Sequence, residues 1–288
     1  MKLQCAKSLD CLGANQYIGQ QERWNSDNSE HVMVRSLSVL VVVFVVGVGA
    51  VHAQGSAGTS ATIEPRGLID VPTAGMLPQR NVGVDLNFFQ AGGVLAGFSV
   101  AITDRILIGV SYGGTSLLGT LKESWNLRPG VNLKVRLLNE TFFIPAIAVG
   151  FDSQGKEAYI DSLNRYTVKS LGFYAVGSKN YQVLGYFSIH GGLNYSLEQA
   201  DNNRSVNIFC GVEKSVGPFA TAVAEYNFNL NDDIRRDSGN EGGYLNVGIR
   251  VSIGSGYTLG FNFKDVSHSF SNISVGNRTI QIEYVSPF

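Results

Sequence analysis

From Asn81 to the C-terminus, apolar residues alternate with polar or small ones at a period of two, as in strands whose two faces meet different surroundings. Val82, Leu86 and Phe88 alternate with Gly83, Asp85 and Asn87. The next runs set Val94, Ala96, Phe98, Val100 and Ile102, then Ile106, Ile108, Val110 and Tyr112, against small residues. Val131, Leu133, Val135 and Leu137 oppose Asn132, Lys134 and Arg136. Val206, Ile208, Cys210 and Val212 oppose Asn207, Gly211 and Glu213, and Ala220 to Phe228 oppose Thr221, Glu225 and Asn227. Leu245 to Ile253 oppose Asn246, Gly248, Arg250 and Ser252, Tyr257 to Phe263 oppose Thr258, Asn262 and Lys264, and Ile280, Ile282 and Tyr284 oppose Thr279, Gln281 and Glu283. Three further segments read as strands with an undecided inward face: 142–151, with Pro145 inside it, and 170–178 and 183–195, rich in glycine and tyrosine. The pattern predicts about twelve strands and an all-β fold.

Connection length decides which all-β fold. The links at 103–105, 139–141, 178–182, 215–217 and 254–256 are short. Those at 113–129, 152–169, 196–204, 230–242 and 265–277 are long, and the two kinds alternate after a short first hairpin near Gly92-Gly93. An even-stranded transmembrane antiparallel β-barrel has this asymmetry, with short periplasmic turns and longer external loops. Strands near ten residues long suit a tilted crossing of the hydrocarbon layer. Closure would pair the last strand with the one starting near Asn81, since no backbone edge is tolerated in lipid. Tyr112, Trp125, Tyr226, Tyr244, Tyr257 and Tyr284 fall near strand ends, where aromatic girdles form.

The chain ends add export signals. Arg35 precedes an apolar run over 36–51, and Val51-His52-Ala53 reads as a small-x-small cleavage site, so 33–53 reads as a signal peptide beginning at Met33. The run is shorter than the roughly 20 residues of a spanning helix. Residues 1–32 read as a mis-assigned N-terminal extension, the alternative being the cytoplasmic tail of a signal-anchor protein. At the other end, Ile280, Ile282, Tyr284 and Phe288 resemble the C-terminal targeting signal that barrel-assembly machinery reads in bacterial outer-membrane proteins, with Ser286 a departure. The expected location is the bacterial outer membrane, in contact with its lipid and with both termini periplasmic.

Composition narrows the chemistry. A formal net charge of −1 gives no support for nucleic-acid binding. Removing 1–53 leaves Cys210 alone, so no intramolecular disulfide is expected. Two histidines remain, His190 in a strand and His268 in a loop near Asp265, Ser267 and Ser269. Residues adjacent on one loop seldom attain triad geometry, and no nucleophile elbow, phosphate loop or metal-ligand spacing is present. Arg278 with Asn272 and Asn277 reads as a polar loop. No enzymatic activity, cofactor or metal is expected.

With the apolar series facing lipid, the lumen would receive Asp85, Lys134, Arg136, Glu213, Glu225, Arg250, Lys264 and Glu283, four acidic and four basic. That balance suits a salt-bridged interior, with a charged solute path as the alternative. Ahead of the barrel, 54–80 is apolar, turn-rich and aperiodic, and Val71 and Leu77, each before a proline, are biased to extended backbone. It reads as a periplasmic linker or as a small plug in the barrel mouth, the linker being preferred.

Within that segment Gly67-Leu68-Ile69 and Pro72-Thr73-Ala74 are similar to the N-terminal motif of the YjbH family, outer-membrane proteins linked to exopolysaccharide production. Pro129-Gly130-Val131 with Lys134, Pro145-Ala146, Gly150-Phe151-Asp152, Ser178-Lys179, Gly211-Val212-Glu213-Lys214 and Ala224-Glu225-Tyr226 continue the resemblance in order over about 67–288. The chain would be a member of single-barrel length. The resemblance implies a barrel assisting export or surface display of a glycan, with polysaccharide or export components as partners. A small-solute channel and a closed structural or adhesive scaffold stand beside that reading.

Overall fold

The structure is a computed structural model and describes residues 55–232, 242–267 and 277–288. The expected extension (1–32) and signal peptide (33–53), together with His268, Ser269 and Asn272, lie outside the described residues.

The strands are β1 (Asn81–Phe89), β2 (Gly93–Thr103), β3 (Ile106–Thr115), β4 (Ser124–Trp125), β5 (Gly130–Leu138), β6 (Ala146–Asp152), β7 (Lys156–Ile160), β8 (Arg165–Val168), β9 (Gly172–Gln182), β10 (Tyr186–Tyr195), β11 (Asn207–Ser215), β12 (Ala220–Asn227), β13 (Tyr244–Gly254), β14 (Tyr257–Lys264) and β15 (Asn277–Pro287). All but β4, β7 and β8 form one antiparallel barrel in chain order, closed where β15 pairs with β1 from Asn81↔Pro287 to Phe88↔Ile280. Every barrel strand therefore has two neighbours, as a lipid-embedded sheet requires. Strand β4 extends the end of β3, and β7 and β8 form a separate hairpin inside the β6–β9 connection.

Burial is inverted relative to a water-soluble protein. Phe98, Ile108, Leu133, Ile189, Ile208, Ile249, Phe261 and Ile280 are exposed, while Ser99, Asn194, Asn207, Asn246, Asn262 and Thr279 on the opposite faces are buried. Water would penalise so continuous an apolar outer surface, whereas a hydrocarbon layer demands it. The lipid-facing belt and the lumen are thus the two environments that the period-two pattern recorded.

Short connections (104–105, 139–145, 183–185, 216–219 and 255–256) lie at one end of the barrel; the long ones lie at the other, with the short first hairpin. Gly55 packs against Ser252 and Thr258, and the Phe288 N–H bonds to the Arg80 carbonyl at 2.9 Å, so the described chain begins and ends at the short-turn end.

Three expectations are corrected. Strand β6 does not include Pro145; it starts at Ala146, because proline has no N–H for the ladder, and Phe142 and Phe143 stand exposed in the turn before it. The turn expected at 178–182 lies at 183–185, where Leu184 (φ 48°) and Gly185 (φ 100°) provide the successive left-handed residues of a tight hairpin. Ser178 and Asn180 looked like turn residues but face the lumen, where Ser178 Oγ meets His190 Nδ1 at 2.8 Å and the Ser188 hydroxyl bonds to Asn180 at 2.5 Å. Tyr244 belongs to no girdle. It is buried, and its hydroxyl accepts from Asn227 Nδ2 at 2.9 Å. Tyr112 does stack on Trp125 and Tyr257 does pack on Tyr284 at the outer surface.

The undecided faces also resolve. Ala146 and Ala148 in β6, Tyr174, Val176 and Ser178 in β9, and Ser188, His190 and Asn194 in β10 are buried on the lumen side. Cys210 is free and exposed on the outer face.

Candidate functional site

The linker preferred for the segment ahead of the barrel is not what the chain forms. Residues 55–80 enter the lumen from the short-turn end, turn back at a tip, and leave to begin β1. At the tip Gly67 bridges Pro72, and the Leu68 N–H bonds to the Val71 carbonyl at 2.8 Å. Two apolar contacts seat this plug. Leu68, Val71 and Ala74 pack on Ala146, Ala148, Tyr174, Val176, Phe209 and Val223. Nearer the turns, Ile63, Met76 and Leu77 pack on Ala101, Leu107 and Val285. Gly211 makes room here, since a Cβ at that position would fall 2.2 Å from Leu68 Cδ1 and force the leucine to shift.

A segment this short in regular structure brings unpaired backbone groups into the lumen, and buried N–H and C=O groups need partners. The charged residues of the wall supply them. Glu225 accepts from the N–H groups of Ile69 (2.8 Å), Asp70 (2.8 Å) and Val71 (3.2 Å), and also from Asn246 Nδ2 (2.8 Å). Arg250 donates to the carbonyls of Gly67 and Leu68, both at 2.6 Å. Lys134 donates to the carbonyls of Arg66 (2.6 Å), Thr73 (3.0 Å) and Gly75 (3.3 Å). Arg136 binds the Ala74 carbonyl at 2.6 Å and pairs with Glu64. The plug's own charges are matched in turn: Arg66 pairs with Asp85 (2.7 Å) and Glu283 (2.8 Å), and Asp70 with Lys264 (2.7 Å). Thr73 stays within the plug, its hydroxyl donating to the Pro65 carbonyl.

All eight charged residues assigned to the lumen from sequence are there, and all but Glu213 bind the plug directly. Glu213 lies 3.5 Å from Arg250 and 3.6 Å from His190 Nε2, and the Ser178 hydroxyl against His190 accepts from the Ala74 N–H at 2.8 Å. The sign balance has two sources: Lys134, Arg136 and Arg250 bind plug carbonyls and Glu225 its N–H groups, while Asp85, Glu283 and Lys264 match the plug's own Arg66 and Asp70. Sequence reasoning passed over Arg66 and Asp70, although the signal was visible: one basic and one acidic residue bracketing an apolar turn.

The long-loop end carries a second closure. The β7–β8 hairpin folds inward, and Arg165 pairs with Asp232 at 2.6 Å and with Asp201 at 3.3 Å. Lys169 pairs with Asp201 at 2.5 Å and donates to the Asn231 carbonyl. Glu198 accepts from the Ser170 N–H at 3.0 Å. Three connections are thereby joined by side chains that are 2–4% exposed. Burial, ahead of these hydrogen bonds and neighbouring cations, pushes the Glu198 carboxyl up to about 7. Glu157 reaches the barrel, accepting from Asn277 Nδ2 and lying 3.6 Å from Lys264.

The C-terminal residues fall where expected: Ile280, Ile282 and Tyr284 lie on the outer face of β15, and Phe288 is 71% exposed beyond its last pair.

No protein-family model and no curated protein matches the chain. Among solved structures it is similar to the NanC porin, with a TM-score of 0.40 and 9% identity over 72% of this chain and 99% of that one. It is also similar to the translocator domain of the autotransporter NalP from Neisseria meningitidis, with a TM-score of 0.30 and 12% identity over 72% of this chain and 87% of that one.

Proposed function

We propose that the protein is a plugged channel of the bacterial outer membrane, conducting a hydrophilic solute when residues 55–80 withdraw toward the periplasm. The observation that carries this reading is the chemistry of the seat. Charged wall groups bind the plug's backbone, and water can replace such contacts one at a time at a net cost of about 1.5–3 kcal/mol per hydrogen bond to a charged group. The groups left behind are soluble and line an aqueous path. A permanent seal would be favoured by continuous apolar packing instead.

Planar-bilayer recordings test it. The full chain should hold a closed state, and deletion of residues 55–78 should give steady conductance. Equal conductance from both proteins would overturn the gating role, and silence from both would favour a closed scaffold.

A second reading makes the solute a glycan being exported or displayed. In its favour, the Gly67-Leu68-Ile69 and Pro72-Thr73-Ala74 pieces that resemble the YjbH family are the plug tip itself, and Lys134, Glu213 and Glu225 from the same resemblance are among its wall partners. A strain lacking the protein should lose surface polysaccharide; unchanged polysaccharide would remove this reading and leave the channel.

A further inference from the structure

Plug and hairpin both reach Lys264, which pairs with Asp70 and lies 3.6 Å from Glu157, but they leave space beside it. Between the plug tip and the β7–β8 hairpin a cavity of about 190 Å³ remains, against the wall made by β1–β3, β5, β14 and β15. It exceeds the roughly 150 Å³ of a cavity that admits benzene. The wall is cut back there: a Cβ at Gly97 would make only ordinary contact, at 3.6 Å, with the Asp85 side chain, so the position has room for one. Gly150 makes a different allowance. A Cβ there would fall 2.4 Å from the Tyr174 hydroxyl, so its absence lets the ring lie across β6 toward the cavity. That hydroxyl is buried on a residue 4% exposed and makes no hydrogen bond of good geometry among the described residues, its polar neighbour in the lining being the Asn132 amide. A buried hydroxyl held this loosely keeps hydrogen-bonding capacity for a group that enters beside it.

The lining restricts what can enter. Its charged side chains comprise four basic and four acidic residues, interleaved with the amides of Asn87, Asn132 and Gln281. An anion or a cation would be attracted by half of this set and repelled by the other half, so neither sign gains from it. A hydroxyl both donates and accepts, so a ring bearing several hydroxyls can satisfy carboxylates, ammonium groups and amides together. We propose that the cavity binds one neutral polyhydroxylated ring, a monosaccharide unit held between plug and cap. The inference deepens the channel reading by naming the class of solute.

Equilibrium dialysis of the full chain, folded in detergent, against radiolabelled D-glucose, D-galactose and D-mannose tests this. Glucuronate, glucosamine and inorganic phosphate serve as charged controls. At least one neutral hexose should be retained, and retained better than every control. Gly97→Leu, which fills the cavity, should weaken retention at least about tenfold. Tyr174→Phe should weaken it about two- to tenfold, the range for one hydrogen bond. A mobility shift on heating confirms folding, and if Gly97→Leu fails that check, Tyr174→Phe alone decides. An oligomer of the retained sugar distinguishes a free monosaccharide from one unit of a longer chain. No retention of any hexose, stronger retention of a charged control, or unchanged retention by the folded variants would overturn the proposal. Because binding is read without conductance, retention in a chain that never conducts would remove the channel reading and leave the site. A conducting deletion protein whose parent retains no sugar would do the reverse.

Discussion

The lumen is closed twice, by unlike means. At the short-turn end the plug is gripped at many points, with wall charges bound to its backbone and apolar contacts at two levels. At the long-loop end, among the described residues, the closure centres on Arg165 and Lys169 against Asp201 and Asp232. A distributed seat tolerates the loss of any one partner, and a concentrated one does not. The plug should therefore yield to a pull on its chain, contact by contact, whereas the cap should open as a unit when its charges are disturbed.

Ways to break that contrast can be ranked by size of effect. Deleting residues 55–78 comes first, because it removes every contact of one closure; conductance should rise, while protease resistance of the cap loops changes little. Arg165→Ala comes next. It removes the bidentate partner of the buried Asp232, and breaking such a pair costs about 3–5 kcal/mol. Limited proteolysis should then cut the 153–171 and 196–206 connections, with the bilayer still closed by the plug; an intact cap would show that the ion cluster is dispensable. Leu68→Ala removes the most central apolar side chain of the seat, 1% exposed, at about 2–4 kcal/mol. It should raise the fraction of time spent conducting without opening the channel fully, and an always-open channel would contradict a distributed seat.

The smallest effect is a titration of the cap. The Glu198 carboxyl, raised to about 7 by burial, holds a proton in the folded loops that the unfolded loops would release from about 4.5 upward. Its stabilising contribution is complete below about 4.5 and is lost as pH rises through about 7. Protease sensitivity of the cap should increase between about pH 5 and pH 8, and Glu198→Gln should flatten that dependence. A sensitivity that increases toward acid pH would show that another group governs the cap.

Much of the wall was legible from local pattern. The two faces of the strands from Asn81 to Phe288 were readable because lipid and lumen impose opposite chemistry at a period of two, and so were the eight lumen charges. The face of β6 was not, because Ala146 and Ala148 are apolar toward the lumen as well, where they meet Leu68 and Val71 of the plug. The end of β9 was misplaced for the converse reason: Ser178 and Asn180 are polar within a strand because the lumen accepts polar residues.

By itself the sequence determined the number of barrel strands, the closure of the sheet and which side of it faces lipid, since each follows from period, connection length and the cost of unpaired backbone in hydrocarbon; the β7–β8 hairpin, read as part of a long loop, it did not. Only the tertiary structure decided what the lumen contains. Residues 55–80 carry no period of their own, because their hydrogen-bond partners, from Asp85 to Glu283, are spread around the barrel wall and supplied at long range. The balance of four acidic and four basic wall residues was visible from the start, but its meaning depended on a plug whose backbone and own charges folding brings into register with it.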